Sequence, residues 1–433
     1  MTPAARLSAA IEVLADIDAR RRPAGDALKD WGLSHRFAGS GDRSAIGSLV
    51  YDALRRKASS AWLMEAETPR AVLLGALKLS RGWDAERIAA LCSGDRFAPE
   101  PLTDHERAAL ETRTLEGAPA WVAGDYPEWL DRPLADAFGE NRAAEMAALA
   151  ARAPVDMRVN TLKVDREKAL AELAHFGAEP TPLSPIGLRI TLGEDARAPA
   201  VQAEPAFQKG WIEIQDEGSQ LAALMAAADP GMQVVDLCAG GGGKTLALAA
   251  QMDNRGQIFA TDSDKRRLAP IFDRLTRAGA RNVQVKAQKG RDDLEPLSDV
   301  RGHADLVMVD APCTGVGTWR RNPDAKWRVR PTSLETRIAE QAAVLDRAAT
   351  MVKPGGRIAY VTCSVLPAEN DGAVETFLAR SGRFEALDPA GAAADAGLTP
   401  LADFVSAGGH GVQMSPLRTG TDGFYVSLLR RRD

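Results

Sequence analysis

Cysteine is scarce in this chain: there are four thiols in 433 residues, at Cys92, Cys238, Cys313 and Cys363, with no Cys-x-x-Cys spacing. That excludes a disulfide framework and a cysteine zinc cluster, so no metal is expected. Free thiols fit a reducing compartment, and a cytoplasmic location is expected. Long apolar runs are also missing. None approaches membrane-span length, and the start "MTPAARLSAA" lacks the apolar core of a signal peptide, so no membrane partner is expected. A basic excess is absent too, because the net charge is −5. Any binding of phosphate must then come from local patches. Residues 1–81 hold 13 Lys/Arg against 9 Asp/Glu, residues 82–150 hold 6 against 14, and "WRRNPDAKWRVR" (319–330) carries five cations and two tryptophans.

What is present describes a soluble globular chain too long for one core, with 45% hydrophobic and 26% charged residues. Up to about residue 150 the apolar residues recur at helical spacing, as in Leu7, Ile11, Leu14 and Ile17, and no strand-like alternation precedes Val155. An all-α domain over 1–150 is expected. "VDMRVNTLKV", "DREKALAELAHFG" and "GLRITLG" then read strand, capped helix, strand: a small α+β unit over 151–212. Beyond it, "QVVDLCA", "GQIFATD", "NVQVKA", "ADLVMVDAP" and "GGRIAYVTCS" are buried strands joined by helices. "GFYVSLLRR" closes the chain as an antiparallel strand. Residues 213–433 therefore predict an α/β fold with a doubly wound parallel sheet. "DPAGAAADAG" near 388–397 reads as a loop insertion.

"VVDLCAGGGGKT" links the first of these strands to its helix. Its glycines let a ligand approach the backbone at a helix N-terminus. The Walker A pattern fails because Cys238 stands where its first glycine belongs, and the Gly-x-Gly-x-x-Gly pattern ends on Thr245 or Leu246. A loop of the methyltransferase kind remains, with an acid ahead of a glycine turn that holds the methionine part of S-adenosylmethionine. Asp262 ends the next strand, where a carboxylate can accept both ribose hydroxyls. Asp262 could also be a helix cap, a task open equally to Ser263 or Asp264.

Two thiols end neighbouring strands, Cys313 in "VMVDAPCTGVG" and Cys363 in "YVTCSVLPAEND". A lone buried cysteine is usually an inert small hydrophobe. Two at adjacent strand tips beside a cofactor loop suggest joint work on one substrate. Methylation of a pyrimidine C5 needs such a thiol: a thiolate adding to C6 makes C5 electron-rich, and elimination later expels the enzyme. Asp310 can stabilise the protonated ring nitrogen. From the residues alone either cysteine can be the nucleophile.

"DLCAGGGGKT", "DAPCTGVG", "NPDAKW" and "TCSVLPAEND", with "RVNTLK", "IQDEGSQLAA" and "DGFYVSLL", resemble the motifs of the RNA 5-methylcytosine methyltransferases of the NOL/NOP2/Sun family. The resemblance covers roughly 154–433. "DRSAIGSLVYDALRRK" is similar to the NusB-like RNA-binding domain of the RsmB-like branch, which modifies a small-subunit ribosomal RNA. The resemblance implies a Rossmann-like class I methyltransferase sheet, S-adenosylmethionine as cofactor, RNA as partner, and a monomer. It also implies that Cys363 is the nucleophile and Cys313 assists product release. Cys238, Ala239, Gly240, Gly241, Gly242, Gly243 and Lys244 would hold the cofactor, Asp262 its ribose, and Asp310 would lie between cofactor and base. Arg320 and Lys326 are expected near the substrate, and Arg158 and Asn160 near the RNA backbone.

Two departures stand out. Gly240 and Gly241 replace the family's Ala-Pro pair, at an entropic cost on the order of 1 kcal/mol. Lys289 replaces an acid on the adenine side, where Asp292 or Asp293 could substitute. Both predict reduced cofactor affinity. They also motivate another reading, a non-catalytic RNA-binding ribosome assembly factor that keeps the fold. A methyltransferase for proteins or small molecules would leave both thiols unexplained.

Overall fold

The computed structural model describes residues 1–193, 199–288, 290, 293 and 295–432. The chain divides into two compact units, one grouping Met1–Arg152 with Trp319–Val329 and the other holding most of the remainder. Within the first unit several helices begin on side-chain caps. Thr2 accepts from the Ala5 amide ahead of helix Pro3–Arg20, and Thr68 from the Ala71 amide ahead of helix Pro69–Arg81. Leu7, Ala10, Val13, Leu14 and Ile17 fall on one buried face of the first helix. Among the described residues no strand precedes Val155.

The segment Trp319–Val329 is embedded among these helices, although its sequence looks like a solvated basic run. Trp319 is 1% exposed, the Trp327 indole donates to the Leu54 carbonyl (2.7 Å), and Asp324 accepts from the Ala24 amide at the start of a helix (3.2 Å).

The second unit contains two sheets. In the small one β1 (Val155–Val159), β2 (Glu179–Pro180), β3 (Gly187–Ile190) and β4 (Ile212–Ile214) run in the order β2-β3-β1-β4, all antiparallel. In the large one β5 (Gln233–Asp236), β6 (Gln257–Ala260), β7 (Val283–Val285), β8 (Ala304–Asp310) and β9 (Val352–Thr362) are parallel. β10 (Phe384–Ala386), β11 (Val412–Gln413) and β12 (Tyr425–Arg431) complete it in antiparallel pairings. The order β10-β12-β9-β8-β5-β6-β7 makes β5 the strand where the winding reverses. Ligands of such sheets bind beyond the strand carboxyl ends at that point. Val234, Val235, Leu306, Val307, Met308, Val309 and Ile358 are fully buried, which is why these strands read as unbroken apolar runs.

Two elements differ from the sequence reading. The presumed loop near 388–397 is a helix, Pro389–Asp395, because Asp388 caps it by accepting from the Gly391 amide (2.8 Å) and proline opens it. The sequence "DKRRLAPIFDRLTRAGA" reads as one helix, but it is broken at Pro270 into Lys265–Leu268 and Ile271–Ala278.

Candidate active site

β8 ends at Asp310 and β9 at Thr362, in register with Asp310 opposite Val361. The two cysteine loops start side by side from these tips. They are stitched by Ala311 N–H to the Val361 carbonyl (2.8 Å) and Gly317 N–H to the Cys363 carbonyl (3.0 Å). The consequence is a sulfur pair: Cys313 Sγ lies 3.3 Å from Cys363 Sγ, and both thiols are partly exposed. The hydrogen bond to Cys363, burial and the Glu369 charge push the Cys313 thiol well above the usual cysteine range. Cys313 therefore stays neutral and can donate to the sulfur of Cys363. The other two thiols are raised as well, chiefly by burial, and for Cys238 further by Asp236. Neither suits nucleophilic attack.

The glycine loop leaves the tip of β5. Gly242 has φ +85°, and a Cβ there would lie 2.5 Å from Ile271, so only glycine serves. Asp236 is fully buried: one oxygen accepts from Thr245 Oγ1 (2.7 Å) while the other, Oδ1, has no hydrogen-bond partner among the described residues. Burial pushes its carboxyl up to about 7, with the Asp310 charge adding to the shift. At the tip of β6, Asp262 accepts from the Gly240 amide (2.9 Å) and the Asp264 amide (2.8 Å). Asp264, not Asp262, caps the following helix. Lys244 is buried, and its ammonium pairs with Asp310 Oδ2 (2.9 Å) and sits 5.1 Å from the Phe424 ring centroid. A side-chain-free cradle, an orphaned carboxylate oxygen and a second strand-end acid fit S-adenosylmethionine.

Comparison with known proteins gives this arrangement its context. A model of the 16S rRNA methyltransferases RsmB/F matches residues 223–430, and one of their ferredoxin-like domain matches 126–196. The chain is 28% identical to the probable ribosomal RNA small subunit methyltransferase B of Synechocystis, over 88% of this chain and 91% of that protein. Ribosomal RNA small subunit methyltransferase B of an Enterobacter is 34% identical over 59% of this chain and 58% of its own length. The crystal structure of PH0851 superposes over 100% of this chain and 99% of that one, with a TM-score of 0.71 and 25% identity. The chain belongs to the RsmB-like Sun-family RNA methyltransferases.

Cys238 through Lys244, Asp262, Asp310, Cys313 and Cys363 of this methyltransferase all lie at the carboxyl ends of β5, β6, β8 and β9. The residues expected at the RNA are placed otherwise. Arg158 is 2% exposed, donates to Gln215 Oε1 (2.7 Å) and reaches the Gly243 carbonyl at 3.5 Å. Asn160 donates to the carbonyls of Gly210 (2.9 Å) and Ala278 (2.8 Å). Both fix the small sheet against the large one instead of presenting donors to solvent. Arg320 is buried, and its carbonyl accepts from Arg55 (2.7 Å). Lys326, also buried, donates to the Arg55 carbonyl (3.0 Å) within the helical unit. Lys289 and Asp292 lie outside the described residues.

Burial, with Arg55 and Arg56 adding to it against Asp125, pulls the Lys326 ammonium down to about 7. The folded state then binds fewer protons than the unfolded state between that pH and the ordinary lysine value of 10.5. Stability should rise across this window and fall as pH drops toward 7. Lys326→Met is expected to remove that slope, as the difference between variant and wild type in denaturant melts at several pH values.

One contributor was invisible in the sequence. Arg274 donates to the Gly241 carbonyl (2.5 Å) and pairs with Glu213 of β4 (3.2 Å). A Cβ at Gly241 would come within 2.9 Å of its guanidinium. The arginine braces the loop where the family's proline is missing, and Glu213, also held by Arg277 (2.7 Å), anchors the brace. Arg274→Ala is expected to weaken binding of S-adenosylmethionine about tenfold, or about 1.4 kcal/mol. Calorimetry checks this, and unchanged affinity would contradict it.

Proposed function

We propose that this methyltransferase uses S-adenosylmethionine to methylate C5 of a cytosine in RNA through a covalent adduct between Cys363 and C6. The observation that carries this reading is the pair of sulfurs 3.3 Å apart at adjacent strand tips. Small-subunit ribosomal RNA is the proposed substrate, since the curated relatives are named for methylating it. The helical unit, NusB-like by its resemblance, is proposed to contact that RNA.

S-adenosylmethionine supplies an electrophilic methyl group, and the glycine loop, Asp236 and Asp262 are the residues that would hold it. Cys363 adds as thiolate to C6, and its electron pair makes C5 nucleophilic. Asp310, poised by Lys244, balances the positive charge that develops on the ring nitrogen. After transfer a solvent water takes the C5 proton, the C–H electron pair re-forms the C5–C6 double bond, and the C6–S bond breaks with its pair on sulfur. The leaving group is again the Cys363 thiolate, which the neutral Cys313 thiol stabilises by donating a hydrogen bond. This gives Cys313 its part in release.

The assembly-factor reading rested on the altered glycine loop and on Lys289, and the Arg274 brace bears on the first of these alone. Bisulfite sequencing of ribosomal RNA from cells with and without the protein tests the proposal. One small-subunit cytosine should lose protection when the protein is absent. An unchanged pattern would refute the ribosomal target.

A further inference from the structure

A carboxylate lies beneath the two thiols, and its charge on Cys313 is the smaller part of what it does there. Glu369 is fully buried in the 3₁₀ turn Pro367–Glu369. Its Oε1 accepts from the Thr314 amide (2.8 Å) and from Gln341 Nε2 (3.1 Å). Its Oε2 accepts from Thr314 Oγ1 (2.5 Å) and Ser364 Oγ (2.5 Å). Every contact has a hydrogen to give, so no proton is needed on the carboxyl itself, and burial without such partners would be costly. Thr314 follows Cys313 directly, and Ser364 follows Cys363. Gln341 Nε2 also donates to the carbonyl of Pro312, the residue before Cys313 (3.0 Å). The Tyr360 hydroxyl on β9 holds the Glu369 carbonyl (2.7 Å), fixing the turn from behind.

We propose that Glu369 is the positioning residue of the two-thiol centre, its buried carboxylate tying the loop of Cys313 to the loop of Cys363 and so setting the sulfur separation. The assignment of a catalytic role to that centre rests on the function proposed above, whereas the tie itself is a matter of geometry. Neighbouring strands alone do not fix side chains beyond their tips. Both cysteines lie past the last ladder residues, and four hydrogen bonds converging on one carboxylate supply the missing constraint.

The tie has an electrostatic side as well. The titratable groups facing the Cys313 thiol are Cys363, Glu369 and the Tyr360 hydroxyl. Of these, the charge of Glu369 disfavours a thiolate at Cys313 and so favours its role as a hydrogen-bond donor.

Two substitutions separate geometry from charge. In Glu369→Gln the amide oxygen can accept from the Thr314 amide and Gln341, and the amide nitrogen can donate to two hydroxyls free to rotate. The tie survives and the charge is lost. In Glu369→Ala both are lost. The readouts are kcat for methyl transfer, cofactor affinity by calorimetry, and the pH profile of iodoacetamide alkylation at each cysteine, resolved by mass spectrometry.

Glu369→Ala is expected to lower kcat about 100-fold with cofactor affinity unchanged. Glu369→Gln is expected to keep kcat within about tenfold of wild type and to move the Cys313 alkylation profile to lower pH. Should the alanine variant fail to fold, Ser364→Ala and Thr314→Val each cut one strand of the tie and are expected to lower kcat at unchanged melting temperature. An alanine variant within twofold of wild type, or a glutamine variant with an unmoved Cys313 profile, overturns the proposal. If wild-type protein methylates no RNA while the profile still moves, the functional reading fails and the placement of Glu369 stands.

Discussion

Replacing Cys363 by alanine is expected to lower methyl transfer about 10⁴-fold or more while leaving cofactor affinity and melting temperature near wild type. The size of the effect follows from the substrate. C5 of a cytosine is not nucleophilic enough to take a methyl group until a thiolate has added to C6, so no lesser route replaces the lost sulfur. The selectivity follows from the structure. Among the described residues the side chain of Cys363 is hydrogen-bonded to Cys313 Sγ alone, whereas the loop is held through its backbone carbonyl, which accepts from Gly317. Alanine leaves that backbone bond intact. Single-turnover transfer from labelled cofactor, with calorimetry alongside, measures both halves of the expectation.

Cys313→Ala should fail in a different way. In the proposed mechanism attack and methyl transfer need only Cys363, so the first half of the reaction is expected to proceed. Elimination then lacks the neutral thiol 3.3 Å from the departing sulfur. A protein–RNA adduct that survives denaturation is therefore expected, visible as a retarded band on a denaturing gel. It should be absent from wild type and from the double variant. An adduct in Cys363→Ala instead would exchange the two roles.

The parallel sheet was legible because its strands are buried on both faces, so "ADLVMVD" and "GRIAYVT" are nearly uniform apolar runs. The meeting of Cys313 and Cys363 could be read from the same fact. Once two consecutive strands are parallel and adjacent, the residues just past their carboxyl ends must share a crevice. The shared crevice needed no more than that, whereas the 3.3 Å between the sulfurs left no mark in the sequence.

Contacts set by tertiary packing left no such trace. Arg274 reaches Gly241 across 33 positions from a half-buried place on a short helix, and nothing in the neighbouring sequence marks it out. Glu369 looks like one more acid in the polar tail "LPAEND", and only the folded chain shows it closed off from water with four donors. The segment 319–330 misled in the opposite direction. Its five cations offer a phosphate-binding patch or a solvated face, and the chain divides them: Arg321, Arg328 and Arg330 are exposed, while Arg320 and Lys326 are buried with Trp319. Arg158 and Asn160 likewise carry the chemistry of phosphate contacts and spend it on carbonyls and an amide of their own chain.

The central claim is that a cytosine C5 receives the methyl group through Cys363. Incubation of the full chain with methyl-labelled S-adenosylmethionine and unmodified small-subunit ribosomal RNA, followed by digestion to nucleosides, tests it most directly. The label is expected in 5-methylcytidine alone, and only when Cys363 is present. Label in another nucleoside, or an undiminished yield from Cys363→Ala, would contradict the claim.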